Sequence, residues 1–282
     1  MPLTIRTRLQ SFNFSLFFGM FFVCAAGLFT MSSFGISDTY FYKQSFWIVL
    51  TLFAWFFMST IDFRFLRQTR VVTSLYVFSI AVLGLVHLIG HSAKGAQNWI
   101  SIGGFSLQPS DMMKLVLIIV LAKYFSRRHI EIANIRHIIV SAVYALIPFI
   151  LVVTQPDLGS AIIIGAIWFG MVLISGISKR HLFAVLGIGL VTFLIAWNFV
   201  FKPYQKARIM NFIYPLQDIR GTGYNAYQST IAVGSGGLFG KGIGYGTQSR
   251  LNFLPEYKTD FIFAAFAEEW GFVGALLLFI FY

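Results

Sequence analysis

The sequence predicts an all-α integral membrane protein, a polytopic helical bundle of about eight spans. The first observation is the composition, since 57% of the 282 residues are hydrophobic and only 11% are charged. The second is the mean hydropathy of +0.77. A soluble core of this size does not require so few charges, whereas helices surrounded by lipid do. The third observation is that the apolar residues fall into separate runs of about 20 residues, the length that crosses a bilayer.

Eight apolar stretches make up the predicted spans. They cover approximately residues 12–33, 43–61, 71–90, 109–125, 137–154, 158–175, 182–201 and 261–282. Pro148 interrupts the fifth stretch, and Pro156 marks a tight turn before the sixth, where Asp157 is placed to cap the helix. The first stretch is longer than the apolar core of a cleavable signal, about 7–15 residues, and is predicted to be retained. Since the chain ends inside the eighth stretch, we expect it to be a fragment.

Basic residues set the predicted orientation. With a cytoplasmic N terminus, the three short outside loops carry only Lys43 and Lys94, and eleven basic residues lie inside. The eleven are Arg6, Arg8, Arg64, Arg67, Arg70, Lys123, Arg127, Arg128, Arg136, Lys179 and Arg180. This distribution follows the positive-inside rule. It also argues against nucleic acid as the partner of a chain with a net charge of +11, because the charges lie in short runs between apolar segments.

One long segment, residues 202–259, separates the seventh and eighth spans on the predicted outer face. It is too long for a simple connection, so we expect this extracytoplasmic loop to carry function within a single membrane domain, residues 1–282. Short amphipathic helices are predicted near residues 204–214 and 223–233. The glycine-rich run at 234–246 lacks the spacing of a phosphate loop and the setting of a potassium filter, so tightly turned backbone is the favoured interpretation.

Asp260 is the first candidate for chemistry. It stands where the polar loop enters the eighth apolar stretch, and acids held in membrane segments are costly enough that function is the default hypothesis. An N-cap role for Asp260, with help from Thr259, is expected and is compatible with catalysis. Glu268 and Glu269 follow on the same helix and point about 100° apart, so we expect one of them to be a buried hydrogen-bonding partner.

Two other polar groups leave alternatives open. Asp111 and Lys114 are neighbours on one helix face, which suits a local ion pair and a substrate-binding pair equally well, and Ser110 is expected to cap that helix. A basic and aromatic cluster follows the seventh span and suits either snorkelling to the lipid interface or binding of a lipid pyrophosphate. The cluster consists of Lys202, Tyr204, Lys206 and Arg208.

Several motifs, taken in order along nearly the whole chain, resemble those of the SEDS family of shape, elongation, division and sporulation proteins. They are Gly95–Ala96 with Trp99–Ile100, Gln108–Asp111 with Lys114, Gln155–Gly159, Leu254–Glu256 with Thr259–Phe263, and Glu268–Glu269 with Gly271. The run Gly246–Ser249 resembles the RodA-like elongation branch more than the division branch. In combination and in this order, the motifs are highly specific.

The resemblance implies a bacterial plasma-membrane enzyme of ten spans, two of them after Tyr282. It implies polymerisation of lipid II, the undecaprenyl-pyrophosphate-linked disaccharide pentapeptide, into glycan strands during cell elongation. The implied partners are a class B penicillin-binding protein transpeptidase and other membrane proteins of the elongation complex. Asp260 is implied as the essential carboxylate, with Lys114 and Asp111 important beside it.

The reaction then suggests roles for the candidate residues. An α-linked donor and a β-linked product imply one inverting displacement, which needs a base, here Asp260, and charge stabilisation on the departing pyrophosphate. The predicted substrate-binding residues are Lys114, Asp111, Arg208, Gln228 and Glu256, and the predicted structural residues are Glu268 and Asp157. No metal site is assigned, and assistance by a divalent cation is left open.

The sequence departs from the family pattern at three positions. Asp111 stands where Glu is usual, Lys258 where His is common, and Asn98 where a basic residue is common. These departures concern the fine geometry of the site and its acceptor contacts. On the residues alone, a transporter or lipid flippase and a scaffold that recruits a transpeptidase are also compatible with the pattern.

Overall fold

The structure, a computed structural model, describes residues 13–33, 39–89, 91–93, 96–102, 105–126, 135–214, 221 and 223–282. These residues are mostly helical. In chain order the helices are α1 (Phe14–Ser32), α2 (Thr39–Thr60), α3 (Thr69–Ile89), α4 (Pro109–Ser126), α5 (Ile135–Thr154), α6 (Leu158–Ile174), α7 (Lys179–Ile195), α8 (Pro203–Ile213), α9 (Tyr224–Ser235), α10 (Thr247–Arg250) and α11 (Ile262–Phe281). A 3-10 turn, Phe63–Arg67, precedes α3, and a π turn, Ala196–Val200, prolongs α7.

All eight predicted spans are helices, namely α1 to α7 and α11. In the described part of the chain, six helices are long and apolar enough to cross a membrane, and α6 is a shorter apolar helix. Helix α4 carries Asp111, Lys114 and Lys123 along its length. The two short helices predicted in the long segment are confirmed as α8 and α9. Of the residues used for orientation, Arg6, Arg8, Lys94, Arg127 and Arg128 lie outside the described residues.

A small antiparallel sheet lies between α3 and α4 in the chain, and the pattern of apolar runs does not predict it. Its strands are β1 (His91–Ala93), β2 (Ala96–Ile102) and β3 (Phe105–Leu107), paired in that order. The strands are too short to show a period against the apolar background. The sequence signal for the second hairpin is the Gly-Gly pair at 103–104 between two β-prone runs.

The chain divides into two compact units. The first comprises Met1–Ile61 with Lys202–Tyr282, and the second comprises Asp62–Phe201. The core of the second unit lies among α3, α4, α5 and α6, where Leu83, Leu117, Leu121 and Ile164 are fully buried. Helix α7 of the same unit buries no residue, although it is apolar along its length. An exposed apolar helix is stable where hydrocarbon covers it, as expected of a membrane span.

The first unit packs α1 and α9 against α11. Phe22 of α1 meets Phe281 with their ring centroids 4.1 Å apart. Helix α9 contacts α11 closely because a glycine, Gly236, lies against the backbone of Ala267, where a side chain would collide. Helix α2 of this unit buries no residue, and in this respect it is like α7 of the second unit. Helix α11 is therefore the central packing element of the first unit.

Candidate functional site

Helix α11 is interrupted at Gly271, whose φ of 68° and ψ of −167° are not helical. The interruption leaves two carbonyls and two N–H groups without partners inside the helix, and in a membrane such groups must be satisfied by protein. The glycine-rich segment 236–246 supplies all four bonds. They are Lys241 N–H to the Glu268 carbonyl (3.0 Å), Gly242 N–H to the Glu269 carbonyl (3.0 Å), Phe272 N–H to the Gly237 carbonyl (2.9 Å) and Val273 N–H to the Leu238 carbonyl (3.1 Å).

This arrangement explains why the segment is rich in glycine. Gly240 has a φ of 81° and lies against the carbonyl of Glu269, and Gly271 lies against the backbone nitrogen of Gly240. A β carbon at either position would occupy the space of a backbone atom. The tightly turned backbone predicted from the sequence is confirmed. Its insertion into a broken helix could not be predicted, because the two segments are far apart along the chain.

Glu268 is fully buried and accepts hydrogen bonds on both carboxylate oxygens. Its Oε1 accepts from Lys241 Nζ at 2.8 Å, from Thr247 N at 2.8 Å and Oγ1 at 3.1 Å, and from Gln248 N at 3.0 Å. Its Oε2 accepts from Ser249 N and Oγ, both at 3.3 Å. A buried carboxylate persists only when it is paired and hydrogen-bonded in this way. Glu268 therefore attaches α10 and the glycine-rich segment to α11.

Glu269 is also buried, with 2% of the residue exposed. Its Oε1 accepts from Ser33 Oγ at 2.6 Å and from Gly244 N at 3.0 Å. The expected buried hydrogen-bonding partner is confirmed in Glu268, and the structure adds that Glu269 is buried and hydrogen-bonded as well. The two side chains do diverge, but protein encloses α11 on both sides, with α10 around Glu268 and Ser33 beside Glu269.

Asp260 is an exposed residue of the turn that precedes α11. Its two chain neighbours are fixed by one carbonyl, since the Glu256 carbonyl accepts from Thr259 N at 3.1 Å and from Phe261 N at 3.2 Å. The Glu256 carboxylate also accepts from Thr259 Oγ1 at 2.9 Å. Glu256 itself has a φ of 56°, which lets the chain turn back on itself. The backbone on either side of the Asp260 carboxylate is therefore held in place.

The same turn is attached to the helices beneath it. Leu254 is fully buried in a cluster with Ala232 of α9 and Ala264 of α11, and Phe261 packs against this cluster. Lys258, where many SEDS members have His, has its Nζ 5.7 Å from the ring centroid of Tyr40 in α2. Apolar anchoring and this cation–π contact fix the turn that carries Asp260.

Two predicted helix caps are corrected by the structure. Phe261 is the N-cap residue of α11, and no side chain supplies the capping bond, so Asp260 does not cap the helix. Helix α4 begins at Pro109, so Ser110 lies inside its first turn, with its Oγ 3.4 Å from Ser160 Oγ. Proline is favoured at the first helical position because its missing N–H would have no partner there, which moves the cap one residue before Pro109.

Gln228 lies on the face of α9 that meets α11. Successive turns of α9 lie beside successive turns of α11. Ala232 packs with Ala264, and one turn later Gly236 meets Ala267 and Glu268. The helices therefore run in the same direction, and Gln228, one turn before Ala232, lies on the same face of α9 as Ala232. Its Oε1 is buried and has no hydrogen-bond partner among the described residues.

The second unit holds the other predicted site residues. Lys114 Nζ lies 2.7 Å from Asp111 Oδ1, and the two side chains are 17% and 63% exposed, so the predicted ion pair is confirmed. Asp157 caps α6, as predicted, by accepting from Ser160 N at 3.1 Å. Gln108 Nε2 donates to Asp157 Oδ2 at 2.9 Å, which joins two of the family-like motifs across 49 residues.

The remaining candidates are less enclosed. Arg208 is exposed on α8, a helix of the first unit that buries no residue. The side chain of Asn98 lies outside the described part of the structure. Among the residues that the structure describes, no group of three or more His, Cys, Asp and Glu side chains is close enough to hold a metal ion.

Known proteins match this chain along most of its length. The sequence profile of the family described as "Cell cycle protein", of FtsW, RodA and SpoVE, matches residues 7–282. Peptidoglycan glycosyltransferase MrdB of Escherichia coli K12 is 40% identical over 209 residues, which are 74% of this chain and 56% of that protein. Stage V sporulation protein E of Bacillus subtilis strain 168 is 35% identical over 245 residues, 86% of this chain and 66% of that protein.

Two solved structures share the fold. One, of a peptidoglycan synthase complex that coordinates polymerization and crosslinking, matches 96% of this chain and 75% of its own, with a TM-score of 0.76 and 28% identity. The crystal structure of the rod shape determining protein RodA of Thermus thermophilus matches 96% of this chain and 71% of its own, with a TM-score of 0.65 and 27% identity. This chain is a multi-pass membrane protein and belongs to the FtsW, RodA and SpoVE family of cell cycle proteins, the SEDS family that its motifs resemble.

Proposed function

We propose that this chain, within its full-length protein, is a peptidoglycan glycosyltransferase that polymerises lipid II into glycan strands during cell elongation. Family membership and the names of the relatives supply the reaction class. The observation that carries the proposal is the exposed carboxylate of Asp260 on a turn whose neighbours are fixed by Glu256 and by the Leu254 cluster. A general base must be held in place relative to the proton it removes, and this turn meets that requirement.

In the proposed step, the acceptor sugar's C4 hydroxyl oxygen attacks the donor's anomeric carbon. The new glycosidic bond forms as the bond to the lipid pyrophosphate breaks, with inversion from α to β, and the hydroxyl proton passes to the Asp260 carboxylate. Gln228 and Glu256 are proposed to bind substrate near this point. The buried Oε1 of Gln228 retains its capacity to accept a hydrogen bond from a sugar hydroxyl or amide.

Lys114 and Arg208 are proposed to stabilise the negative charge of the departing pyrophosphate. In the second unit, Asp111 holds the Lys114 ammonium at 2.7 Å and thereby orients it. Arg208 presents a guanidinium on the exposed side of α8, where its forked donors suit a phosphate. Each of these assignments rests on the local geometry of its own unit.

Lys114→Ala is expected to lower turnover at least tenfold while the unfolding temperature changes little. Removal of Lys114 leaves the Asp111 carboxylate accessible to water, because that side chain is 63% exposed. An ion pair with one exposed partner contributes about 0.2–1 kcal/mol to stability, so its loss does not unfold the protein. Steady-state polymerisation and thermal unfolding of the same preparations measure both quantities. Lys43→Ala, an exposed position in α2, is the control and is expected to change neither. Unchanged turnover with a lowered unfolding temperature would assign Lys114 to structure alone.

The function itself is tested with purified full-length protein and fluorescent lipid II, with and without a class B penicillin-binding protein. Glycan strands resolved on a gel are the expected product. The competing function is a lipid II flippase, since broken helices such as α11 also occur in transporters. Movement of labelled lipid II across vesicles without any glycan product would favour the flippase and reject the proposal.

The remaining proposals follow from the family and the sequence. We propose that the N terminus is cytoplasmic, that residues 202–259 are extracytoplasmic within one membrane domain, and that the membrane is the bacterial inner membrane. The partners proposed are a class B penicillin-binding protein transpeptidase and other membrane proteins of the elongation complex. The structural match to a peptidoglycan synthase complex supports a crosslinking partner.

A further inference from the structure

The second unit contains a cavity that the proposed reaction does not use. It lies among α3, α4 and α5 and has a volume of about 310 Å³, which falls at the lower limit of the roughly 300–1,000 Å³ of small-molecule sites. Its walls include the first turns of α3 and the last turns of α4. On the predicted topology these are the cytoplasmic ends of both helices, so the cavity lies at the level of the inner lipid headgroups.

Two tyrosine hydroxyls of the lining are already bonded, Tyr76 to the Tyr144 carbonyl at 2.7 Å and Tyr124 to His137 Nδ1 at 3.0 Å. The other polar groups of the lining are hydrogen-bond donors. The Lys123 ammonium is fixed at the wall by the Arg67 carbonyl, which accepts from its Nζ at 2.7 Å. Hydroxyl groups of Thr69, Thr73 and Tyr144 also line the space. Within the described ranges, none of these three hydroxyls has a hydrogen-bond partner. One cation and three hydroxyl donors around one space suit an anion with several acceptor oxygens.

The rest of the lining is apolar. Val72 and Val120 form part of the wall. An adjoining depression shares Thr69 and Thr73 with the cavity and continues along α3 past Arg70 to the exposed side chain of Phe78. A molecule in the cavity is therefore able to place a polar group among the donors while a hydrocarbon chain follows the apolar surface of α3 into the bilayer.

We propose that this cavity binds the phosphate group of an anionic phospholipid. Phosphate combines the negative charge and the several acceptor oxygens that the four donors require, and lysine is a frequent phosphate ligand. Basic pockets between membrane helices on the cytoplasmic side bind phosphate-bearing headgroups in the same way. A cavity of about 310 Å³ is too small for a whole phospholipid, so the hydrocarbon chains lie outside it, along the apolar surface of α3.

The test measures lipid binding to the purified full-length protein by native mass spectrometry, with phosphatidylglycerol as the probe. Diacylglycerol with the same acyl chains lacks the phosphate, and inorganic phosphate lacks the lipid. Phosphatidylglycerol is expected to bind at least tenfold more tightly than diacylglycerol, and inorganic phosphate at millimolar concentration is expected not to displace it. Equal binding of the two lipids overturns the role of phosphate, and displacement by inorganic phosphate overturns the assignment to a lipid.

The site is located with the double variant Thr73→Val with Tyr144→Phe, which removes two hydroxyls and keeps the side-chain shapes. Its matched control is Thr51→Val with Tyr42→Phe, the same changes at exposed positions of α2. The test variant is expected to bind phosphatidylglycerol about tenfold more weakly, and the control like the wild type. Should the double variant fail to fold, Lys123→Gln is expected to show the same loss. Wild-type affinity in a folded test variant overturns the proposal.

Discussion

Asp260→Asn is expected to abolish glycan synthesis while leaving the protein folded and inserted. Asparagine has the size of aspartate but cannot accept the proton of the sugar hydroxyl. General acid–base catalysis contributes about 10²–10⁴-fold to rate, and a loss of that size is expected in polymerisation from purified lipid II. The unfolding temperature is expected to stay near that of the wild type, because Asp260 is exposed and supplies no helix cap.

The matched control for this variant is Asp62→Asn, which also replaces an exposed aspartate. Asp62 lies in the second unit, where its side chain accepts from Arg64 N at the start of the 3-10 turn. An asparagine keeps that acceptor, so polymerisation is expected at the wild-type rate. Normal polymerisation by the Asp260 variant would remove the base from the mechanism.

Gly271→Ala is expected to destabilise the protein by more than about 4 kcal/mol, which places it among the rare severe substitutions. Two effects combine. The φ of 68° with ψ of −167° is open to glycine but strained for alanine, and the added β carbon would meet the backbone nitrogen of Gly240 and the carbonyl of Leu238. Relief of that overlap requires the glycine-rich segment to leave the break, with the loss of four backbone hydrogen bonds.

Thermal unfolding in detergent and the yield of inserted protein measure this effect. Gly27→Ala is the matched control, because Gly27 lies inside α1 of the same unit and a β carbon there meets no atom within 4 Å. Alanine at a helical glycine is expected to be neutral or stabilising by up to about 1 kcal/mol. A Gly271→Ala protein as stable as the control would show that the break in α11 tolerates a side chain.

Local chemistry made much of the fold predictable. The spans follow from runs of about 20 apolar residues, and each of the eight is a helix. The cap at Asp157 is a short-range effect of one carboxylate on the first turn of α6, so it too could be derived. The ion pair of Lys114 with Asp111 depends only on helical spacing. These features need no knowledge of which elements are neighbours in space.

The features that could not be predicted from the sequence depend on contacts between residues far apart in the chain. The bonds of Glu268 to α10 and of Gln108 to Asp157 join residues about 20 and 49 positions apart, and no pattern in the chain specifies such pairs. The cap assigned to Asp260 is wrong because Phe261 takes that position. Thr259, the residue before Asp260, is held by Glu256. The sequence suggested a role in substrate binding for Glu256 and gave no sign that it shapes the turn.

The most direct test of the account separates substrate binding from chemistry at Asp260. Lipid II affinity and single-turnover glycan formation are measured on the same preparations of wild-type protein and Asp260→Asn. If Asp260 is the base on a turn that other residues hold, the variant binds lipid II with nearly wild-type affinity and forms glycan at least about a hundredfold more slowly. If the variant forms glycan at the wild-type rate once lipid II is bound, the carboxylate takes no part in the chemistry and the account is contradicted.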